Sequence, residues 1–311
     1  MGKVFGYPQF DETGEKILTT YDNDYREMLM DIRVYRMETG DIRTFLKSGE
    51  ETAVLLLRGR VLFEAGAVGS IASAGATGEG ATGAGVTGAG ATGTGAKGAG
   101  AKGTGAKGTG ATDTGADLVG EARRRDVFSD GPWCVHVCAG TKVTVKALEA
   151  SEVLVQSTRN TTIFDSKLYC PADAPFRYSS VGKFGDVAKR QVNTIFDHEI
   201  APWSNMVLGE VLNDPGNWSG YLPHSHPQPE TYYFLFDRPE GFGASFVGDE
   251  VFKSVDGSFS AIPGGKLHPQ AVAPGFRMYT CWMIRHLEGN PWNQTDRNED
   301  ARYVWMHDAK F

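Results

Sequence analysis

The sequence predicts an all-β protein built from two similar sandwiches or barrels in tandem, and three observations predict it. Short runs rich in Val, Ile, Thr, Tyr, Phe and Trp alternate with Gly, Pro and Asn-Asp punctuation, the pattern of strands and turns. The same texture occurs in both halves of the chain, on either side of about residues 170–185. Helix periodicity is scarce throughout. These features divide the chain into residues 1–175 and residues 176–311.

Taken in order, "TAVLLLRGRVLFEA" reads as a hairpin about Arg58-Gly59-Arg60, and "DVFSDGPWCVHVCAGTKVTVKALEASEVLVQST" as short strands with turns at Gly and Pro. In the second half, "SNMVLGEVL", "TYYFLFD", "SFSAIPGG" and "RMYTCWMIR" read as further strands. The terminal "NPWNQTDRNEDARYVWMHDAKF" is polar but holds Trp292, Tyr303 and Trp305, which predicts an irregular arm packed back on the fold.

Between the first strands lies a segment of another kind, "GATGEGATGAGVTGAGATGTGAKGAGAKGTGAKGTGATDTG", with glycines at alternating gaps of three and two and no proline. Collagen needs glycine at every third position with many prolines, so a triple helix is excluded. Almost nothing here is larger than Thr or Lys, so burial cannot repay ordering entropy, and a mobile loop is expected from about Val68 to Asp117. Loop-closure entropy grows slowly with length, so such an insertion is tolerated at an exposed tip between two elements.

Composition narrows the function classes. The net charge of −7, with no Lys/Arg cluster, speaks against a nucleic-acid partner. No apolar run approaches the length of about 18 residues that a membrane span needs. Four cysteines in 311 residues, with no signal peptide read at the ends, predict a reducing, cytoplasmic setting. The chain is compatible with a homo-oligomer.

The chemistry concentrates in "YLPHSHPQPETYYF", residues 221–234. Alternate side chains of a strand share a face, so Trp218, Gly220, Leu222, His224 and His226 are expected to point one way. Pro227 and Pro229 end that strand, and Glu230, Tyr232, Phe234 and Phe236 share a face of the next. A hairpin of this kind brings a carboxylate beside two imidazoles, a set suited to a divalent transition metal. A further ligand is offered by "GSFSAIPGGKLHP", where the turn Pro263-Gly264-Gly265 precedes His268. By contrast, Cys134, His136 and Cys138 share one strand face but cannot wrap a metal alone, and His198, His286 and His307 read as packing or surface residues.

The spacings His224-x-His226-x(3)-Glu230 and Gly257-x(5)-Pro263-x-Gly265-x-x-His268 resemble the paired motifs of the cupin superfamily. The resemblance implies a bicupin, two double-stranded β-helix barrels, with metal ligands His224, His226, Glu230 and His268. The stretches "GEVLNDPGNWSGYLPHSHPQPETYYFLFDRPEGFG" and "IPGGKLHPQAVAPGFRMYTCWM" further resemble the 5-deoxy-glucuronate isomerase family of myo-inositol catabolism, itself related to the uronate ketol-isomerases of pectin breakdown. The first half, with "RRRDVFSDGPWCVHVCAGTKVTV", is similar to that family's metal-free cupin.

This implies an aldose–ketose isomerisation of a small sugar acid, 5-deoxy-D-glucuronate to 5-dehydro-2-deoxy-D-gluconate, on a divalent ion. Zn, Mn, Fe and Ni all suit the ligand set. Tyr232, on the face of Glu230, and Lys266, just before His268, are the candidate proton carriers. The rival readings are the related pectin ketol-isomerase, a cupin iron dioxygenase and a non-catalytic sugar-binding cupin.

Because residues 70–117 contain no anchor for burial, their deletion is expected to leave melting temperature and isomerase activity almost unchanged, measured side by side with the full chain.

Overall fold

The computed structural model describes residues 2–67, 117–295 and 297–309. The repeat expected to be a mobile loop lies outside these residues, apart from Asp117. Its flanks do not: strand Glu50–Ala67 pairs antiparallel with strand Leu118–Arg124, Ala65 opposite Leu118. The insertion therefore joins two strands that are direct neighbours in a sheet. Among the described residues there are three short 3₁₀ turns, no α-helix, and no helix long and apolar enough to cross a membrane.

The architecture is that of a bicupin. One sheet has nine strands, all between residues 15 and 169. A second sheet has seven strands, and six of them lie beyond residue 176. The seventh is the N-terminal pair Phe5–Gly6, which docks on strand Phe259–Ile262, so the chain begins in one sheet and then builds the other. A four-stranded sheet faces the second one to complete the C-terminal barrel.

Period-two alternation explains how the sheets pack. In strand Met278–Arg285, Tyr279, Cys281 and Met283 enter one apolar cluster while Met278, Trp282 and Ile284 enter another. Strand Ser151–Arg159 does the same with Leu154 on one side and Val153 and Val155 on the other. The cluster shared by the two halves draws Leu18, Ile32 and Leu55 from the first and Phe196, Leu208 and Met283 from the second. Strands buried on both faces cost no exposed apolar surface, which accounts for their near-continuous hydrophobic sequences.

Two sequence expectations need correction. "TAVLLLRGRVLFEA" is not a hairpin but one strand, Glu50–Ala67, which bends. Its first part pairs with Trp133–Val137 and Ser151–Arg159, its second with Leu118–Arg124 and Thr141–Ala147. The bend has a bulge between Leu56 and Arg58, then Gly59 at φ 101°, where a Cβ would sit 2.5 Å from the Ala150 carbonyl oxygen. A glycine read as a turn is thus a corner where one strand passes between partners. The run from Trp218 to His226 is likewise not one strand. Gly220 takes φ 62°, with the His268 carbonyl oxygen 2.8 Å from where its Cβ would lie. Trp218–Ser219 pairs with Gln270–Val272, whereas His224–Ser225 pairs with Asn298–Glu299 of the C-terminal arm. That arm does pack back, with Trp292 buried and Trp305 exposed.

Arg124 and Glu210, both 0% exposed, form a bidentate ion pair of 2.7 and 3.1 Å between the two large sheets. Removing one partner leaves a buried charge unmatched, so Arg124→Met or Glu210→Gln is expected to cost about 3–5 kcal/mol in denaturant unfolding. The double variant Arg124→Met/Glu210→Met is expected to cost less than the sum of its singles.

Candidate metal centre

A turn within the second motif is what assembles the site. Pro263-Gly264-Gly265 closes against the first motif, the Gly265 N–H donating 2.7 Å to the His226 carbonyl. Gly264 runs so close to the Pro227 carbonyl oxygen that a Cβ would collide with it, and Gly265 holds φ 82°. These glycines therefore let the strand that ends at Ile262 release His268 beside His226. Glu230 arrives from the adjoining strand Glu230–Phe236, opposite both Ile262 and Ile284.

His226, Glu230 and His268, all buried, offer ligand atoms lying within 4.8 Å of one another. His224 lines the same cavity with its ring 4.9 Å from that of His268, edge-on, but stands outside that closest cluster. Tyr232, also buried, lines the cavity with its ring 5.9 Å from His268. Burial, then the Glu230 charge, holds its phenol well above the ordinary tyrosine range. Lys266 is not brought in: it is absent from the cavity wall, and its ammonium lies against Gly248, at the turn between strands Phe242–Val247 and Glu250–Val255. Its own carbonyl, not its amine, reaches the site.

The three imidazoles share one device. Nδ1 of His224 donates to the Leu222 carbonyl at 2.8 Å, that of His226 to Gln228 at 3.0 Å, and that of His268 to Lys266 at 2.8 Å. A carbonyl can only accept, so each Nδ1 carries the proton and each neutral ring keeps its lone pair on Nε2. Burial pushes His224 down to about 3 and lowers His268 as well, which keeps both rings neutral.

The outcome is a collision of acceptors. Nε2 of His226 and of His268 stand 3.2 and 3.3 Å from the same carboxylate oxygen of Glu230, and His268 Nε2 is buried without a hydrogen-bond donor. One proton would satisfy one of these contacts, while a divalent cation satisfies all three groups together. The donor set of imidazole nitrogens and a carboxylate suits Zn, Mn, Fe or Ni. The Nδ1-to-carbonyl bonds are the outer contacts that fix ligand rings in metal sites. The residues present fit a metal ion.

The cavity in front of this cluster has a volume of about 530 Å³, ample for a small sugar derivative. Sequence reasoning missed much of its wall: Arg177, Arg190, Trp282, Trp292 and Arg297 also line it. Arg190 carried no motif. Arg297 enters because the arm pairs with His224–Ser225 one residue later, a contact with no local signal.

The other histidines separate cleanly. His136 is buried and bonded through Nε2 to Glu51 at 2.9 Å, stacked 4.3 Å from Phe196, with Cys134 and Cys138 buried as small apolar groups. His307 pairs with Glu299 at the surface. His198 and His286 meet ring to ring at 5.6 Å, and His286 Nδ1 accepts from the Trp292 backbone N–H at 2.8 Å.

Residues 106–306 match the KduI/IolB family. A 5-deoxy-glucuronate isomerase of Geobacillus kaustophilus is 28% identical over 203 residues, 60% of this chain and 70% of that one. Its counterpart in Bacillus subtilis is 31% identical over 140 residues, 40% and 49% of the two chains. In structure the chain is similar to an IolB-like protein of Salmonella typhimurium, with a TM-score of 0.73, 16% identity and 98% and 100% of the chains covered. It also resembles an oxalate decarboxylase of Lactobacillus farciminis, at a TM-score of 0.61 and 10% identity over 100% and 91%.

His226→Ala and His268→Ala are each expected to empty the site of metal, read by elemental analysis, with little loss of fold. His307→Ala leaves metal content unchanged, and His136→Ala lowers the melting temperature without affecting metal, because it strands the buried Glu51 carboxylate.

Proposed function

The chain belongs to the KduI/IolB family, and from that premise we propose that it is an aldose–ketose isomerase converting 5-deoxy-D-glucuronate to 5-dehydro-2-deoxy-D-gluconate in myo-inositol catabolism. The observation that carries the reading is the trio of imidazoles whose Nδ1 protons are tied to carbonyls, leaving Nε2 lone pairs beside one carboxylate in a sugar-sized cavity. Curated relatives bear the name of that activity. The proposed setting is cytoplasmic.

The reaction moves hydrogen without net oxidation. A proton leaves the carbon that bears the hydroxyl next to the aldehyde and returns to the aldehyde carbon, while the hydroxyl proton passes to the carbonyl oxygen. His224, His226, Glu230 and His268 would hold a divalent ion, Zn, Mn, Fe or Ni. Bound there, it supplies Lewis-acid stabilisation of the oxyanion that develops on the carbonyl oxygen. The chain's own part is to position and to exchange protons. Tyr232, on the cavity wall in the strand that Glu230 opens, would carry the proton between the two carbons. Trp282 and Trp292, with rings 5.5 Å apart, form the wall next to the cluster, Trp292 lying 6.3 Å from the His226 ring.

An isomerase of this kind needs neither oxygen nor a redox-active ion. Incubated without oxygen in deuterated water, the zinc-loaded protein is expected to carry the uronate to an equilibrium mixture, with solvent deuterium entering the product in the NMR spectrum. Unchanged substrate there, with oxygen uptake in air by the iron-loaded protein, would replace the isomerase with an oxygenase.

A further inference from the structure

The cavity has a second polar feature that ion binding leaves unused. Arg190, the first residue of strand Arg190–Phe196, is 8% exposed. One of its terminal nitrogens is fixed by the Ser180 hydroxyl at 3.0 Å and the Ala188 carbonyl at 2.9 Å. Among the described residues no carboxylate comes within ion-pair distance of its guanidinium. Arg297, half-buried on the same wall, likewise forms no ion pair among the described residues.

An arginine so placed is costly. Taking a cation out of water without a counter-charge is unfavourable, and proteins nearly always pair such groups. Burial, reinforced by the nearby Arg297, pushes Arg190 down to about 10, the mark of a cation short of compensation. Elsewhere on the cavity wall, the indole N–H groups of Trp282 and Trp292 and the hydroxyl of Ser219 are buried without partners. Asp173, Asp197 and Glu199 also line the cavity, yet among the described residues none of them pairs with Arg190. The missing partner is an anion with several oxygens, and guanidinium geometry favours a carboxylate bound by two parallel hydrogen bonds.

We propose that Arg190, with Arg297 as a second cation, binds the carboxylate of the substrate and makes the cavity select sugar acids over neutral sugars. The inference rests on the isomerase reading for the identity of the substrate, in which the carboxylate and the carbonyl lie at opposite ends of the carbon chain. With the carbonyl end at the His/Glu cluster, the acid end is assigned to Arg190, while the Arg297 charge also acts on the His224 and His268 rings. The contact holds the molecule in one direction, so that the aldehyde rather than the carboxylate meets the metal ligands.

The test compares Arg190→Gln, Arg190→Lys and Arg297→Gln with the unaltered, metal-loaded protein. Substrates are 5-deoxy-D-glucuronate and its neutral analogue 5-deoxy-D-glucose, which carries a hydroxymethyl group where the acid has its carboxylate. Arg190→Gln is expected to lower kcat/KM for the acid about 100-fold, mostly through KM. Metal content stays as in the parent, and the neutral analogue changes by less than about 3-fold. Arg190→Lys recovers part of the loss, since it restores charge but not the fork. An equal loss on both substrates would reduce Arg190 to a structural residue and overturn the proposal, as would no loss on either.

Calorimetry with D-glucuronate and D-glucose as probes separates this from the isomerase reading. If the unaltered protein fails to isomerise the uronate, that reading falls. The arginine proposal then stands if D-glucuronate binds the unaltered protein and not Arg190→Gln, and falls if both bind it equally or neither does.

Discussion

Glu210 is a carboxylate with no access to water, and the arrangement of both halves follows from how it is neutralised. Four donors converge on it: two nitrogens of Arg124, the Tyr279 hydroxyl at 2.7 Å and the Asn193 amide at 3.0 Å. Arg124 belongs to strand Leu118–Arg124 in the first half and also donates to the carbonyls of Leu56 and Asp130. The other partners come from adjacent strands of the second half. A buried pair this completely satisfied contributes little net stability over an apolar substitute, but it tolerates no displacement of either partner. It therefore sets register between the two large sheets, and the apolar cluster around it supplies the free energy.

That register reaches the candidate metal centre through one strand. Met278–Arg285 presents Tyr279 to Glu210 on one face and Trp282 to the cavity on the other. The same strand pairs Cys281 with Glu210 and Ile284 with Glu230. A slip of one residue would exchange its faces, taking Tyr279 from Glu210 and Trp282 from the cavity wall together. The site is thus held by a contact made across the interface between the halves, which gives the first half a role even though its own histidine takes no part in the cluster.

How much of this was legible in the sequence depends on the span of the interaction. Strands such as Trp133–Val137 and Glu230–Phe236 are written in local runs of β-branched and aromatic residues, and the His/Glu cluster in two motifs, the second with its turn at Pro263, Gly264 and Gly265. Even the imidazole orientation is local, each Nδ1 bonding a carbonyl two residues away. Gly59 was legible only as a turn and Gly220 only as one position of a strand; that one is a corner and the other a change of partner is decided by the distant Ala150 and His268 backbones. Arg190 and Arg297 had no local mark at all, since what distinguishes them is the counter-charge they lack. Lys266 misled for the opposite reason: closeness to His268 in sequence did not bring its amine into the cavity, because the turn that aims His268 inward sends Lys266 to Gly248.

The chain also holds a second buried histidine–carboxylate pair, and the two differ in where the ring protons go. Glu51 accepts from His136 at 2.9 Å, from the Ser204 hydroxyl at 3.0 Å and from the Asn205 N–H at 2.6 Å. Both its oxygens are served by donors within the protein, and the pair ties strand Glu50–Ala67 to the start of the second half. At Glu230 the residue types are the same and the burial is similar, but the two neighbouring rings spend their protons on backbone carbonyls and turn lone pairs toward the carboxylate. Burial and identity alone therefore do not separate a structural histidine from a ligand. The placement of each ring proton does, and it is set by whether a carbonyl stands within reach of Nδ1.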